Sequence, residues 1–283
     1  MTCARVLAFP FVRGEPKSNR RMRVGHMQHM NGGWVTPVLS YVLAVVGGAL
    51  GLRCTVRALD ATGRAKRNWL ITASVAIGLG IWTMHFVAML GFSVAGTPVR
   101  YDIPLTLLSL VVAMAVVGAG VFTAGYGGSR VRSVLLGGLG TGFGVAAMHY
   151  IGMAAVDLHG HIDYDPVTVT ISVIIAVVAA SAALWAALTI RGPVASSIAA
   201  LVMGLAVSCM HYTGMYAATV HVDGGRGPLA GAAPGSFIFP LAVVLGSFLF
   251  LASAYVALSP TAQERAEDAA AAGPLRDVDI PVG

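Results

Sequence analysis

The sequence predicts an all-α integral membrane protein with seven transmembrane helices, and two observations support this fold class. Hydrophobic residues occupy 57% of the 283 positions, charged residues occupy 11%, and the mean hydropathy is +0.78. Because soluble domains carry about 25% charged residues, a single soluble core could not bury this much apolar surface. The chain also contains seven apolar stretches, each near or above the roughly 20 residues that a helix needs to cross a bilayer.

The seven stretches follow one another at about 34–52, 69–91, 103–124, 133–156, 166–190, 194–220 and 236–258. None of them contains Asp, Glu, Lys or Arg. Each is expected to be a helix, because lipid cannot satisfy exposed backbone polar groups and the alternation typical of barrel strands is absent. Prolines near the starts of five stretches agree with this assignment, since the first turn of a helix tolerates proline.

The two ends of the chain differ in composition from the membrane domain at 34–258. Residues 1–33 are basic, and residues 259–283 are rich in Ala, Asp and Glu. We expect a disordered basic arm at the first end and a short disordered cytoplasmic tail at the second.

The formal net charge of +6 comes mainly from the arm and the first loop. It favours positive residues on the cytoplasmic side of a bilayer over binding to nucleic acid.

The distribution of Lys and Arg predicts how the helices are oriented. Loops one, three and five hold eight basic residues, and the other loops hold two. The eight are Arg53, Arg57, Arg64, Lys66, Arg67, Arg130, Arg132 and Arg191. Since Lys and Arg are enriched in cytoplasmic loops, we expect these loops inside, the N-terminus outside and the C-terminus inside. The basic arm opposes this assignment, because it too would prefer the cytoplasmic side.

One short pattern occurs three times, toward the far ends of the second, fourth and sixth stretches. The copies are Met84-His85-Phe86-Val87-Ala88-Met89, Met148-His149-Tyr150-Ile151-Gly152-Met153 and Met210-His211-Tyr212-Thr213-Gly214-Met215. The histidines are 64 and 62 residues apart, and no other histidine lies within the seven stretches. Ionisable groups inside membrane spans are costly and mark functional sites. Three matched copies therefore favour a functional role over simple hydrogen bonding between helices, which is the alternative.

The similarity extends beyond the motif and defines a repeat of about 63 residues and two helices. A glycine precedes each histidine by seven residues, at Gly78, Gly142 and Gly204. Two motifs are followed by a Tyr-Asp pair and, seven residues after the Asp, by a serine; these are Tyr101-Asp102 with Ser109 and Tyr164-Asp165 with Ser172. An even number of spans per unit makes the repeats parallel, related by an axis along the membrane normal. The three histidines are thus expected at similar depth near the outer face, where they can converge.

The residue types in the motif are ligands of a transition metal. Imidazole together with thioether suits copper, Cu(I) in particular, better than calcium or magnesium, and zinc is possible through histidine alone. At 100° per residue, the methionine four residues after a histidine lies about 40° from its direction, and the methionine before it about 100° away. We expect each histidine to act with its later methionine while the earlier one reaches a neighbouring helix. One ion and two ions both fit this number of ligands.

The connections after the second and third motifs hold further metal-ligating side chains. They are Asp157, His159, His161, Asp163, His221 and Asp223. A histidine pair with one residue between them can take up metal from a loop, whereas the simpler interpretation is a solvated polar loop. The sequence leaves both open.

Three Met-His-aromatic motifs in a seven-span chain resemble the MHYT domain, an integral membrane sensor domain of bacteria. The resemblance covers about residues 34–258, and the third copy, Met210-His211-Tyr212-Thr213, spells the family name. It implies a multi-pass protein of the bacterial plasma membrane that binds copper near the outer face and senses O2, CO, NO or redox state. The implied metal ligands are Met84, His85, Met89, Met148, His149, Met153, Met210, His211 and Met215. The first copy departs from the pattern, since Phe86 has no hydroxyl.

The sequence therefore favours a copper-dependent sensor without enzyme activity, because no stretch holds a carboxylate and no paired nucleophile and base is evident. Many members of the family carry a cytoplasmic output domain, but only about 25 residues follow the last stretch. We expect the output to come from a signalling partner protein or from the membrane region itself. Two alternatives are a transporter of copper or another metal, since internal repeats are common in transporters, and a haem-binding redox protein.

Overall fold

The structure, a computed structural model, describes residues 33–189, 193–225 and 227–259 and the backbone of 23–24 and 27–28. Seven helices account for most of these residues, and each is long and apolar enough to cross a membrane. They are α1 Val35–Leu59, α2 Gly63–Met89, α3 Ile103–Tyr126, α4 Arg130–Ala154, α5 Pro166–Thr189, α6 Pro193–Tyr216 and α7 Ile238–Leu258. The predicted fold class, an all-α membrane protein with seven spanning helices, is confirmed.

Some helix ends differ from the sequence prediction. α1 continues to residue 59 and α2 begins at residue 63, so five basic residues expected in the first loop lie on helices. Long cationic side chains can reach the membrane surface from positions near a helix end, so charge alone does not end a helix. In contrast, α6 ends at Tyr216, and residues 218–222 form a strand where we predicted helix up to 220.

Helices α1 to α6 form a closed ring in chain order, in which α6 packs against α1. α7 packs outside this ring against α1 and α2. The three motif helices α2, α4 and α6 also contact one another in pairs. The ring therefore places the three copies of the motif around a common centre, as the parallel repeat predicts.

Glycines set the close crossings of this ring. A methyl group on Gly47 of α1 would lie 2.6 Å from the Cα atom of Gly80 of α2. The glycine seven residues before each motif histidine has the same role at three equivalent crossings. A methyl group there would lie 2.8 Å from Met114 Cα for Gly78, 2.4 Å from Val177 Cα for Gly142 and 2.6 Å from Val45 Cγ2 for Gly204. Each motif helix thus packs through this glycine on α3, α5 or α1, and not on another motif helix.

The outer surface of the ring is apolar, as lipid requires. On α5, Val167, Ile171, Ile174 and Val178 are exposed, whereas Ser172 is buried. The exposed residues are three or four positions apart, so they form one stripe along the helix. This periodicity separates a lipid-facing side from a side that packs inside the ring.

Short strands lie at the end of the ring where the motifs are. They are β1 Arg23–Val24, β2 Met27–Gln28, β3 Ser93–Val94, β4 Arg100–Tyr101, β5 Val156–Asp157, β6 Gly160–Tyr164 and β7 Ala218–Val222. β7 pairs antiparallel with both β1 and β6, β2 pairs with β3, and β4 pairs with β5. Because β5 and β6 follow the second motif and β7 follows the third, this pairing joins the ends of different repeats.

The structure describes little of the two ends of the chain. Residues 23–24 and 27–28 belong to the arm expected to be disordered, yet they pair with β7 and β3. The other residues of that arm up to position 32, and the expected tail from residue 260 onward, lie outside the described residues. The expected disorder of the arm and of the tail therefore stays a prediction.

The end of the ring opposite the motifs carries basic side chains that bind helix C-termini. The Arg57 guanidinium donates to the carbonyl oxygens of Val256 and Ser259 at 2.9 and 2.6 Å. The Arg130 guanidinium donates to the carbonyl oxygen of Leu188 at 3.1 Å. Cations are favourable at helix C-termini, where unpaired carbonyl groups carry partial negative charge. Positive charge is thus concentrated at the end that we expect inside.

Candidate metal centre

The three motif histidines, His85 of α2, His149 of α4 and His211 of α6, meet between the motif helices. Their Nδ1 atoms form a triangle with edges of 3.0 Å between His85 and His211, 3.2 Å between His85 and His149, and 3.3 Å between His149 and His211. All three residues are buried. The centre of such a triangle lies about 1.8 Å from each nitrogen, close to the roughly 2.0–2.1 Å of a zinc–imidazole bond. The predicted convergence of the histidines is confirmed.

The three nitrogens cannot all satisfy one another by hydrogen bonding. A neutral imidazole carries one proton, on either Nδ1 or Nε2. Each Nδ1 atom therefore either carries a proton or presents a lone pair. Because three Nδ1 atoms are in mutual contact, at least two of them are in the same state. Two lone pairs or two N–H groups then face each other. A proton on Nε2 instead finds no hydrogen-bond partner on His85 or His149, where this atom is buried. A cation between the Nδ1 atoms would remove the repulsion of their lone pairs, so the donor set fits a metal.

Two of the histidine rings are fitted against the small residue of the next motif. A methyl group on Gly152, three residues after His149, would lie 2.5 Å from Nε2 of His85. A methyl group on Gly214, three residues after His211, would lie 2.4 Å from Nε2 of His149. The three rings contact edge to face, with centroids 4.9, 4.9 and 5.2 Å apart. The glycine three positions after the histidine therefore makes room for the imidazole of the preceding motif.

All six motif methionines are buried. At most 2% of the surface of each is exposed; they are Met84, Met89, Met148, Met153, Met210 and Met215. Met210 lines a small apolar cavity of about 60 Å³ with Ile81 and Val145. Met153 lines an open groove of about 470 Å³ with His161. The ligand role of the methionines, including the preference for the later one in each motif, stays a prediction.

Hydrogen bonds link two of the motif helices to the helices beside them. The hydroxyl of Tyr150, next to the second histidine, and that of Ser172 on α5 are 2.7 Å apart. The hydroxyl of Tyr212, next to the third histidine, is hydrogen-bonded to Ser40 on α1. Both serines are fully buried. Our sequence analysis missed Ser40, because no Tyr-Asp pair marks the start of α1.

The first motif makes the equivalent link with a different side chain. Phe86 has no hydroxyl, and Trp82, one turn earlier on α2, donates from its Nε1 to the hydroxyl of Ser109 on α3 at 2.9 Å. The rings of Trp82 and Phe86 are in contact, with centroids 4.5 Å apart. In the first motif, the indole N–H of Trp82 therefore makes the link to the neighbouring helix that a tyrosine hydroxyl makes in the other two motifs.

The Tyr-Asp pairs fix where the helices after two motifs begin. Side-chain oxygens of Asp102 and Asp165 accept hydrogen bonds from backbone N–H groups three residues later, at 2.7 and 2.9 Å, as N-cap residues do. The backbone N–H groups of the same two residues donate at 2.8 Å to the carbonyl oxygens of Ala155 and Ala217. These acceptors directly follow the motif helix of the next repeat, so the histidine-bearing ends are held by neighbouring repeats.

The phenols of the connecting strands are neutral groups. Burial raises the pKa of Tyr101 above its usual value. Burial and, to a smaller extent, the neighbouring Tyr150 raise the pKa of Tyr164 to about 12. Near the helix starts, hydrogen bonds from Thr168 lower the pKa of Asp165, which keeps this exposed carboxylate ionised. The strands close to the histidine cluster thus contribute neutral phenols, and the carboxylate charge lies at the surface.

The structure also brings together three of the donors predicted in the outer connections. His161 and Asp163 of β6 and His221 of β7 place one ligand atom each within 4.8 Å of the others. Among the described residues, Asp157, His159 and Asp223 belong to the same connections but not to this group. Residues 160–164 form a strand, and the choice between metal binding and a solvated polar surface for these side chains stays a prediction.

The structure is therefore a membrane domain of the class built from repeats. Its spanning helices form a ring of parallel two-helix repeats around a buried polar centre. The family model for MHYT, described as a bacterial signalling protein N terminal repeat, matches residues 78–138 and 142–200. Each match begins at the glycine seven residues before a motif histidine. The membrane domain of this chain therefore belongs to the MHYT family, and it is a multi-pass membrane domain of bacterial signalling proteins.

Curated bacterial proteins match about two thirds of this chain. The bifunctional diguanylate cyclase/cyclic di-GMP phosphodiesterase MucR of Pseudomonas aeruginosa is 40% identical over 189 residues, 65% of this chain and 27% of that protein. The signaling protein YkoW of Bacillus subtilis is 33% identical over 200 residues (65% and 24%), and the cyclic di-GMP phosphodiesterase NbdA of P. aeruginosa is 33% identical over 193 residues (66% and 24%). The chain spans about a quarter of the length of these relatives. No solved structure matches it significantly.

Proposed function

We propose that this domain is a sensor that holds copper at the three motif histidines near the outer face and responds to a diatomic gas or to redox state. The observation that carries the proposal is the triangle of Nδ1 atoms of His85, His149 and His211, with edges of 3.0–3.3 Å. When bound, copper supplies a redox-active centre with affinity for O2, CO and NO. Imidazole suits copper, and the thioethers of the buried methionines favour Cu(I) over harder ions.

The packing of the histidines supports a response that extends to the helices. The three rings belong to three different helices, and two of them lie directly against Gly152 and Gly214 of a neighbouring motif. Close-packed interiors transmit a displacement instead of absorbing it. A change in the position of one imidazole would therefore displace the adjacent motif helix, which is the kind of small shift that signalling domains amplify.

The apolar cavity beside the third motif offers a place for a small gas molecule. It has a volume of about 60 Å³ and is lined almost entirely by aliphatic side chains of α2 to α6, with Met210 in its wall. Apolar cavities in proteins stay dry and take up small apolar guests. Because Met210 directly precedes His211, this cavity lies next to the residues that we propose as ligands.

The same geometry weighs against haem as the cofactor. The two axial ligands of a haem bind the iron from opposite faces of a flat macrocycle. Here the Nδ1 atoms of three histidines lie within 3.3 Å of one another, so a porphyrin has no space between them.

The enzymes named among the relatives make or break down cyclic di-GMP, and we propose an enzyme of that class as the signalling partner.

Metal analysis of purified protein tests the proposal. We expect the wild type, loaded with Cu(I) under reducing conditions and freed of excess by gel filtration, to retain copper in a fixed ratio, and His85→Ala, His149→Ala and His211→Ala each to lose most of it. His159→Ala is the matched control, because this histidine lies in an outer connection and outside both ligand groups. Equal copper contents in the wild type and the triple histidine variant would overturn the proposal.

Infrared spectroscopy tests the binding of gas. Reduced, copper-loaded wild type under CO should show a carbonyl stretching band that is absent from the triple histidine variant.

Copper uptake into sealed vesicles separates sensing from transport, because a sensor leaves the vesicle interior free of copper whereas a transporter fills it. Rapid uptake that depends on the three histidines would favour the transport alternative.

A further inference from the structure

A second group of metal-ligating side chains lies on the strand pair outside the helical ring. Oδ2 of Asp163 is 3.3 Å from Nε2 of His221 and 3.7 Å from Nε2 of His161. The two imidazole rings are stacked, with centroids 5.0 Å apart and planes inclined by 17°. The side chains of His161 and Asp163 are 50% and 66% exposed and that of His221 is 24% exposed, so ions in solution can reach all three.

The register of the strands builds this group. His161 of β6 is paired with His221 of β7, and Asp163 is paired with Thr219. Side chains two residues apart on a strand point to the same face, and diagonal neighbours on paired strands are within reach of each other. The other face of β7 is buried through Ala218, Val220 and Val222. The burial of that face fixes the register, and the register in turn places both histidines and the aspartate on the exposed face.

We propose that His161, Asp163 and His221 form a second metal site, distinct from the buried histidine cluster, that takes Zn²⁺ or Cu²⁺. A tetrahedral ion with bonds of about 2.0–2.1 Å separates its ligand atoms by about 3.3–3.4 Å, and the two distances to the aspartate oxygen lie near this value. Two neutral imidazoles and one carboxylate suit a borderline divalent ion, whereas Ca²⁺ and Mg²⁺ prefer all-oxygen sites and Cu(I) prefers sulfur. Three protein ligands leave a fourth position for water.

This ion would connect two repeats outside the membrane helices. β6 lies between α4 and α5, and β7 directly follows α6. A metal held by both strands therefore ties the connection after the second motif to the connection after the third. Its binding free energy stabilises the folded domain, since a site assembled from two strands does not exist in the unfolded chain.

Zinc binding in the His85→Ala, His149→Ala, His211→Ala background isolates this site from the buried one. We expect this triple variant, stripped with a chelator, to bind one Zn²⁺ in competition with a chromophoric chelator, and to unfold at a higher temperature when Zn²⁺ is added. Asp163→Asn and His161→Ala in the same background should weaken binding by at least about tenfold and abolish the rise in Tm. His159→Ala, in the same connection but outside the group, should change neither.

The outcomes separate this proposal from the one for the buried cluster. A triple variant that binds no Zn²⁺ in the micromolar range, or equal losses in Asp163→Asn and His159→Ala, would show that the side chains form only a hydrogen-bonded surface group. The comparison also works without the triple variant, because Asp163→Asn in the wild-type chain should retain its Cu(I) and bind one Zn²⁺ fewer. Cu²⁺ bound to the triple histidine variant should give electron paramagnetic resonance couplings to two imidazole nitrogens. Coupling to a single nitrogen would show that one of the two histidines does not bind the ion.

Discussion

In the second and third motifs, the glycine three residues after the histidine leaves just enough space for a neighbouring imidazole ring. A methyl group in place of its hydrogen atom would clash with that ring. We predict that Gly152→Ala lowers the affinity for copper by about 10–100-fold, because the new methyl group would lie 2.5 Å from Nε2 of His85 and push its ring out of the Nδ1 triangle. The measurement is copper affinity by competition with a chelator. Gly140→Ala is the matched control on the same helix, since a methyl group there meets nothing within 4 Å. Equal affinities for the two variants would contradict this account of the glycine.

At this scale the sequence predicts which residues meet but not how they touch. The spacing of 64 and 62 residues and the parallel repeat are enough to bring His85, His149 and His211 to one point. The use of Nδ1, and the packing of a ring on Gly152, depend on distances between helices, and no pattern within one helix encodes those distances. For the same reason the roles of earlier and later methionines are still predictions.

A partly buried hydrogen bond contributes to the pairing of helices α4 and α5. We predict that Tyr150→Phe lowers the free energy of unfolding by about 0.5–1.5 kcal/mol, because it removes the 2.7 Å bond to the hydroxyl of Ser172. In a Ser172→Ala background the same substitution should cost much less, and this double-mutant cycle isolates the bond. Unfolding in mixed micelles with increasing denaturing detergent gives the measurement. If the two substitutions are additive, the bond contributes nothing to pairing.

Elements were predicted well where lipid restricts the chain and poorly where it does not. All seven helices follow from apolar length, because the bilayer allows few other structures. The strand at 218–222 was predicted as helix up to 220, since Thr219 and Val220 are as apolar on average as the helix before them. Only pairing with β6, a contact with residues far away in the chain, makes this segment a strand.

The closed ring of six helices and the outer seventh helix are properties of the whole molecule. The repeat predicts three equivalent units but gives no rule for how the first helix meets the sixth. The structure closes the ring at Gly204, where a methyl group would lie 2.6 Å from Val45, and at the hydrogen bond between Tyr212 and Ser40. Neither contact is visible in the sequence, because α1 lacks the Tyr-Asp opening of α3 and α5.

The asymmetry of charge predicts the orientation of the ring in the bilayer. The basic side chains that bind helix ends, Arg57 and Arg130, lie opposite the motif end, so we expect the motif end outside. After the native cysteines are replaced, Asp223→Cys should react with a membrane-impermeant thiol reagent on intact cells. Ser129→Cys, between α3 and α4, should react only after the membrane is opened. Both positions are exposed, so a reversed labelling pattern would show that the histidine cluster faces the cytoplasm and that the metal reaches it from inside.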